Sequence, residues 1–373
     1  TKQEQMEALM DRVFTVAEQQ YTAMDTRLTE KTLPRTLSAD GEFVPSNIYW
    51  WCSGFYPGSL WYIYEYTGNE AVKTLAEKNT LKLDSIQYVT RDHDVGFQLN
   101  CSYGNGFRLT GNEDYKKVLY QGAQSLATRF SSVTGVIRSW DFLRRGWKYP
   151  VIIDNMMNLE LLFWATQATG DSTFYDIAVK HADTTLKNHF RADNSLYHGL
   201  NYNPETGEIK HYQGGQGFSE KSAWARGQAW GLYGYTLMYR FTKERKYLEQ
   251  AIKIAEFTLN HPNMPKDLIP YWDYNAPGIP DALRDASAAA CTASALYELD
   301  GYLPGNHYKE TADKIMESLG SPAYRAEVGT NGNFILMHAV GSIPHGQEID
   351  VPLNYADYYF LEGLMRKRDL EKK

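Results

Sequence analysis

The sequence predicts an all-α fold, a closed (α/α)6 barrel, and three observations predict it. A Thr-Gly-Asn-like turn recurs at Thr67-Gly68-Asn69, Thr110-Gly111-Asn112, Thr169-Gly170-Asp171, a degenerate Thr242-Lys243-Glu244 and Pro304-Gly305-Asn306, at spacings of roughly 45 to 75 residues that suit a repeated supersecondary unit. Segments before the turns are apolar nearly all round, as inner-ring helices buried on every side must be, and those after are amphipathic. No linker of Pro, Gly or Ser divides the 373 residues, so residues 1–373 read as one toroidal domain rather than two average ones.

Taken in order, the chain opens with a lone helix around Glu4 to Met24 and then a non-helical insert from Leu33 to Gly54. At each recurring turn, Gly supplies the left-handed residue that ends one helix, and Asn or Asp caps the next. After a second insert, Thr134 to Ile153, the stretch Leu159 to Ala168 has the composition of an inner helix. A third insert, Arg191 to Ser222, leads to another inner helix, Trp230 to Phe241. In the segment Tyr247 to Leu259, the residues Leu248, Ala251, Ile252, Ala255 and Leu259 recur at helical spacing and form one apolar stripe. A fourth insert, Pro262 to Asp285, precedes the remaining pair, and a last helix runs around Tyr355 to Arg366. The total is about twelve helices, enough for six hairpins closing on themselves. Long inserts in compact domains are commonly functional, and these four hold most of the candidate chemistry.

Bulk composition narrows the function. Net charge is −7, which repels nucleic acid and long polyanions, so an acidic ligand must be met by a few local cations. No apolar run reaches the about 18 residues of a bilayer span. Cys52, Cys101 and Cys291 are odd in number and widely spaced, which fits buried thiols rather than a disulfide framework or zinc motif. His93, His198 and His211 lack metal-ligand spacing, and no phosphate-binding or dinucleotide fingerprint occurs, so neither metal nor organic cofactor is expected. Aromatic residues make up 14%, with 28 Tyr and 9 Trp; they suit stacking on sugar rings, as they also suit an ordinary core. The chain opens at Thr1 without an apolar leader, which fits a cytoplasmic protein or one whose export signal has been removed.

Four stretches stand where a loop enters an inner helix: Trp50-Trp51-Cys52-Ser53-Gly54-Phe55, His93-Asp94-Val95-Gly96-Phe97, Asp154-Asn155-Met156-Met157-Asn158, and Ser222-Ala223-Trp224-Ala225-Arg226-Gly227-Gln228-Ala229-Trp230. Asp94 and Asp154 begin helices, so helix capping is one reading of both. The other is a pair of carboxylates at the barrel mouth for acid/base work, one kept protonated beside the other's charge. Arg226 and Trp230 lie one turn apart. Arg226 is the cation an acidic sugar needs, or else a salt bridge in the barrel wall. Trp140, in the polar loop Arg138-Ser139-Trp140-Asp141, reads as a binding platform. His198 and Gln216, in a long Gly-rich insert, are candidate hydrogen-bond donors.

These stretches, the recurring turns and the C-terminal Pro352-Leu353-Asn354-Tyr355-Ala356-Asp357-Tyr358-Tyr359-Phe360-Leu361-Glu362 together resemble the unsaturated glucuronyl hydrolases of glycoside hydrolase family 88, over nearly the whole chain. The resemblance implies an (α/α)6 barrel and a substrate with the Δ4,5-unsaturated uronate that polysaccharide lyases leave at a non-reducing end. It implies hydration of that enol ether: Asp154 as acid/base protonates C4 and directs water onto C5. Asp94 is the partner that stabilises the developing cation. It further implies that Trp51, Trp140, Trp224 and Trp230 wall the sugar, with Ser222 beside them. His93, His198, Gln216, Arg226 and Tyr355 would hold hydroxyls and the carboxylate. Members acting on sulfated fragments can carry a Ser-x-x-Ser-x-Lys signature; here Ala339-Val340-Gly341-Ser342-Ile343-Pro344 keeps one Ser but lacks the other and the Lys, which speaks against a preference for 6-sulfated amino sugars unless His345 or a neighbouring loop supplies a replacement cation or donor. Expected partners are unsaturated uronic-acid oligosaccharides of glycosaminoglycan type, with no nucleic acid and no membrane, and a monomer or weak homodimer in the periplasm.

Three rivals make different predictions. An unsaturated rhamnogalacturonyl hydrolase shares barrel and chemistry but takes pectin fragments. A sugar 2-epimerase on the same barrel depends on paired histidines, so that replacing His93 or His198 abolishes turnover and Asp154→Asn does not. A non-catalytic sugar-binding barrel binds without forming product.

Overall fold

The computed structural model describes residues 1–141 and 146–373, so the predicted insert from Thr134 to Ile153 lies partly outside the described residues. Outer helices α1 (Lys2–Asp25), α3 (Glu70–Leu81), α6 (Glu113–Ala127), α8 (Ser172–Asn188), α10 (Arg245–Leu259) and α12 (Tyr308–Leu319) surround an inner ring. That ring consists of α2 (Phe55–Thr67), α4 (Val95–Leu99) with α5 (Asn105–Thr110), α7 (Leu159–Thr169), α9 (Ala225–Thr242), α11 (Ala286–Tyr302) and α13 (Asn354–Glu371). A π-type turn at Asn100–Gly104 joins α4 to α5, making them one inner helix. α13 packs on both α11 and α2 and so closes the ring. One hydrophobic core runs from Met6 to Met365, and the three cysteines are free and buried within it.

The recurring turns are the corners from inner to outer helix. Gly68, Gly111 and Gly170 end α2, α5 and α7 in the left-handed conformation, with φ of 70°, 68° and 77°. Asn69, Asn112 and Asp171 then accept the amide two residues on and cap the next helix. The threonine contributes two bonds of its own. Each of Thr67, Thr110, Thr169 and Thr242 donates its hydroxyl back to the carbonyl four residues earlier, and accepts the amide two residues later. Lys243 takes the left-handed position at φ 59° without a glycine, and Glu244 stands at the cap without a side-chain bond. The fifth corner departs from the pattern, since α11 ends at Tyr302 with Leu303 as its cap, and His307, not Asn306, precedes α12.

Two predictions shift in detail. On α10 the buried face holds Leu248, Ala251, Ile254 and Ala255, while Ile252 and Leu259 are half-buried, so the stripe is rotated by one step. Three of the four inserts read as non-helical contain short antiparallel strands: β1 (Thr32–Leu37) with β2 (Phe43–Asn47), β4 (Val136–Ile137) with β3 (Phe130–Ser131) just before it, and a sheet of β5 (Pro150–Ile152), β6 (Gly199–Tyr202) and β7 (Ile209–Gln213); the fourth, Pro262 to Asp285, holds only isolated bridges, and β8 (Ala339–Ser342) with β9 (Gln347–Val351) lies outside all four. Several of these strands do not alternate, as in β6 and β8, which are buried at all four positions, so no period-two pattern marks them in the sequence. Among the described residues every strand precedes an inner helix, so the strands gather at one end of the barrel.

Candidate active site

The inserts deliver four of the inner helices and the segments before α4 and α13 deliver the other two, and close backbone approaches lock the entries together. A Cβ at Gly54 would lie 2.2 Å from the Gln98 carbonyl oxygen, which brings the start of α2 against α4. Gln98 Nε2 holds the incoming chain through the Trp50 carbonyl at 3.1 Å and Ser53 Oγ at 3.2 Å. A Cβ at Gly96 would lie 2.5 Å from Asn158 Oδ1, and Asn158 Oδ1 accepts the Phe97 amide at 2.8 Å. Asn158 Nδ2 donates to Asn155 Oδ1 at 3.0 Å, and Asn155 Nδ2 to the Ile137 carbonyl at 2.9 Å. This chain of amides fastens the turn bearing Asp94 to the 3-10 turn Ile153–Asn158 bearing Asp154.

The capping reading of the two acids is corrected: among the described residues neither carboxylate accepts a capping N–H at its helix start. Each faces a histidine instead. His93 Nε2 lies 3.3 Å from Asp94 Oδ1, and His198 Nε2 lies 3.4 Å from Asp154 Oδ1. The second contact is longer than a formed hydrogen bond, and both atoms are buried without another hydrogen-bond partner among the described residues. Burial works against the Asp154 carboxylate, but His198, His93 and Arg226 outweigh it and hold its pKa below the usual range. Burial likewise works against protonated His93, yet Asp94, Asp154 and Asp92 prevail and raise its pKa.

Arg226 takes the wall position. Its Nη1 donates to the Val340 carbonyl at 2.6 Å and pairs with Asp285 Oδ2 at 3.1 Å, and Nη2 donates to the Gly341 carbonyl at 2.7 Å. The guanidinium lies over Trp224, 4.6 Å from the ring centre, and over Tyr355 at 5.2 Å. Its Nε is buried without a partner among the described residues. Ser222 is committed as well, donating to Asp273 Oδ2 at 2.7 Å.

Aromatic rings line the centre in a connected set. Trp51 touches Tyr355 with ring centres 4.8 Å apart and Phe97 at 5.4 Å, and Phe97 meets Trp230 at 5.4 Å. Trp51 is partly exposed, whereas Trp224, Trp230 and Tyr355 are buried. Trp50, next to Trp51 in the chain, lies under the Arg35 guanidinium at 3.9 Å. Trp140 is half-buried and bridges to Asp92, which places it beside the His93 turn. Gln216 reaches His198 Nδ1 through its amide at 3.1 Å and the Gly341 carbonyl through Nε2 at 3.0 Å. The sequence-predicted residues are thus brought to one end of the barrel, where Asp94, Asp154, His93 and His198 face one another and Arg226 and Ser222 serve the walls.

Sequence reasoning missed several partners. Asp92 accepts the Asp94 amide at 2.8 Å, and burial followed by the Asp94 charge pushes its carboxyl up to about 6. Asp285 and Asp273 hold Arg226 and Ser222, and each looks like an ordinary loop acid in the sequence. The Gly341 carbonyl carries no sequence signal at all. Asn155 and Asn158 were visible in the Asp154 stretch, and their i, i+3 spacing on a helical turn was the available clue.

The chain matches the description Glycosyl Hydrolase Family 88 over residues 23–366. It is 46% identical over 363 residues to an unsaturated glucuronyl hydrolase of Formosa agariphila, covering 94% of this chain and 90% of that protein. It is 33% identical to an unsaturated chondroitin disaccharide hydrolase of Streptococcus pyogenes, covering 90% of this chain and 86% of that protein. A crystal structure of an unsaturated glucuronyl hydrolase specific for heparin superposes with a TM-score of 0.96 at 45% identity, covering 98% of this chain and 99% of that one. The matched span begins near the end of α1 and reaches Arg366 in α13, so it holds every residue of the site just described, and the chain belongs to glycoside hydrolase family 88.

Proposed function

We propose that the protein is an unsaturated glucuronyl hydrolase, releasing the terminal Δ4,5-unsaturated uronate from lyase-generated glycosaminoglycan oligosaccharides by hydrating the C4=C5 enol ether. The observation that carries the reading is the Asp154 carboxylate, buried yet ionised, within reach of His198 and in the field of His93 and Arg226. Protonation at C4 makes an oxocarbenium ion at C5 and O5; water then adds its hydroxide to C5. The proton delivered and the proton taken from water pass through one carboxyl group, which requires an acid/base group and no glycosyl-enzyme bond. The hemiketal opens to a C5 ketone and expels the partner sugar. Asp94, beside His93 at the same mouth, is the carboxylate that stabilises the developing positive charge.

Binding follows from the same geometry. The uronate carboxylate is drawn by His93, whose pKa the neighbouring carboxylates raise, and by Arg226, whose Nε is a buried donor without a partner among the described residues. Trp51 and Trp140 are partly exposed and offer stacking faces, while Trp224 and Trp230 form the floor. The stretch Ala339–Pro344 gives its Val340 and Gly341 carbonyls to Arg226, and its Ser342 hydroxyl pairs with His345 at 2.6 Å. An aglycone read without a sulfate-binding lysine fits this wall.

The test follows the ultraviolet absorbance of the conjugated uronate in unsaturated chondroitin, heparin, hyaluronan and rhamnogalacturonan disaccharides. Decay on a glycosaminoglycan disaccharide, cut by about 10³-fold or more in folded Asp154→Asn, is the expected outcome. Decay on rhamnogalacturonan alone moves the substrate to pectin, and no decay on any of them overturns the reading.

A further inference from the structure

The Asp154 carboxylate does not touch the loop Gly214–Gly217, yet that loop decides what faces it. The Gln216 amide donates to His198 Nδ1 at 3.1 Å. A nitrogen that accepts an N–H cannot carry a proton, so the proton of neutral His198 sits on Nε2, the atom 3.4 Å from Asp154 Oδ1. Gly215 makes the approach feasible: its φ is +60°, and a Cβ there would lie 1.6 Å from His198 Nδ1. The ring has nowhere to retreat, being buried with its centre 4.5 Å from the Trp224 ring.

The loop is itself anchored at three points. Asp273 Oδ2 accepts the Phe218 amide at 2.8 Å and the Ser222 hydroxyl at 2.7 Å. A Cβ at Gly217 would stand 2.9 Å from Trp224 Cβ, so the loop lies flat on the start of α9. Gln216 Nε2 and Arg226 Nη2 converge on one acceptor, the Gly341 carbonyl. The position of the cation and the position of the loop are therefore set by the same peptide group.

We propose that Gly215 and the Gln216 amide are positioning residues that hold His198 as its Nε2–H tautomer, aimed at Asp154, with Asp273 as the anchor of the loop that carries them. The proposal rests on the reading of Asp154 as the acid/base. A His198 with its proton on Nδ1 would turn a lone pair toward the carboxylate and repel it, and the acid/base group would lose the N–H that faces it.

The deciding measurement is nitrogen-15 NMR of the ligand-free, histidine-labelled enzyme at neutral pH, with the His198 signals assigned by their loss in His198→Gln. The expected pattern is a protonated Nε2 and an acceptor-type Nδ1. A protonated Nδ1, or an imidazolium, overturns the proposal. In Gly215→Ala the pattern is lost, and kcat falls about 10²-fold with KM little changed, the scale of a misplaced catalytic contact; retention of both overturns it. Should Gly215→Ala fail to fold, an ester in place of the Gln216 amide removes the N–H without adding a Cβ, and the same two outcomes apply. Because the tautomer is read without substrate, it decides this proposal even if no unsaturated uronide is turned over, a result that would instead sink the functional reading.

Discussion

Asp154 carries a charge before any ligand arrives, because His198, His93 and Arg226 outweigh its burial, whereas protonating C4 requires the acid form. An anionic uronate resolves the conflict: its charge cancels part of the field of His93 and Arg226 and raises the Asp154 pKa. Binding a saturated glucuronate disaccharide, which cannot react, should therefore take up protons at mildly acidic pH, seen by titration calorimetry in buffers of different ionisation enthalpy. His93 gains protons in the same direction, so Asp154→Asn should reduce the uptake without removing it; proton release would contradict the scheme. Arg226→Lys tests the wall. A lysine cannot serve Asp285, Val340 and Gly341 from two nitrogens while lying flat on Trp224, so a loss of roughly 3 kcal/mol in denaturant unfolding is expected, along with activity. At this scale the acids and the arginine were legible because rare residue types coincide in short stretches. Which of them point at a ligand was not, since Asp285 and the Gly341 carbonyl, the partners that commit Arg226 to the wall, lie 59 and 115 residues away in the chain.

Elements set the field around those residues. The six inner helices begin at the mouth and end at the corners, so their N-termini converge on the site, each with a partial positive charge that favours an anion. A chain of net charge −7 thereby offers an acidic sugar a locally favourable potential. The approach of α4 to the Asp154 turn is a tight joint. Gly96→Ala would place a methyl group 2.5 Å from Asn158 Oδ1 and 2.7 Å from its Cα, and is expected to cost about 1–3 kcal/mol and to lower kcat, measured by thermal unfolding alongside turnover. Helices and corners were readable because their chemistry is local: a left-handed glycine, a capping Asn, an apolar face. The strands of the mouth were not, because their pairing is made by partners across the loop and across inserts, as when β5 pairs with β6.

For the whole molecule, stability turns on how the ring closes. Asp357 on α13 accepts the Tyr21 hydroxyl of α1 at 2.7 Å and the Ile335 and Leu336 amides at 2.9 Å each. Asp357→Ala leaves three buried donors without their acceptor and is expected to cost about 3 kcal/mol or more, seen as a lowered denaturant midpoint. Acid acts globally through His181 and His189, whose pKa values burial, followed by neighbouring histidines, depresses to about 3. The unfolded chain protonates them near ~6.5, so between about 6.5 and 3 it binds more protons than the folded one, and stability falls as pH falls. His189→Gln should flatten that slope; an unchanged slope would show that other groups govern it. The closed ring was foreseeable from six hairpins, but the bond that seals it joins Tyr21 to Asp357, a pairing no local pattern announces.

The threonine-glycine corners and the mouth inserts lie at opposite ends of the same helices, which separates what builds the protein from what it recognises. Each corner is closed chiefly by bonds within a few residues of itself, so its geometry depends little on the inserts. The inserts are bound to one another across the mouth. A descendant with a new aglycone preference can thus arise by rewriting the inserts while inheriting the corners untouched, and a library of variants confined to residues 33–54, 191–222, 262–285 and 339–351, sparing the positions there that hold Asp154, Arg226 and the helix entries, would explore specificity with the scaffold held constant.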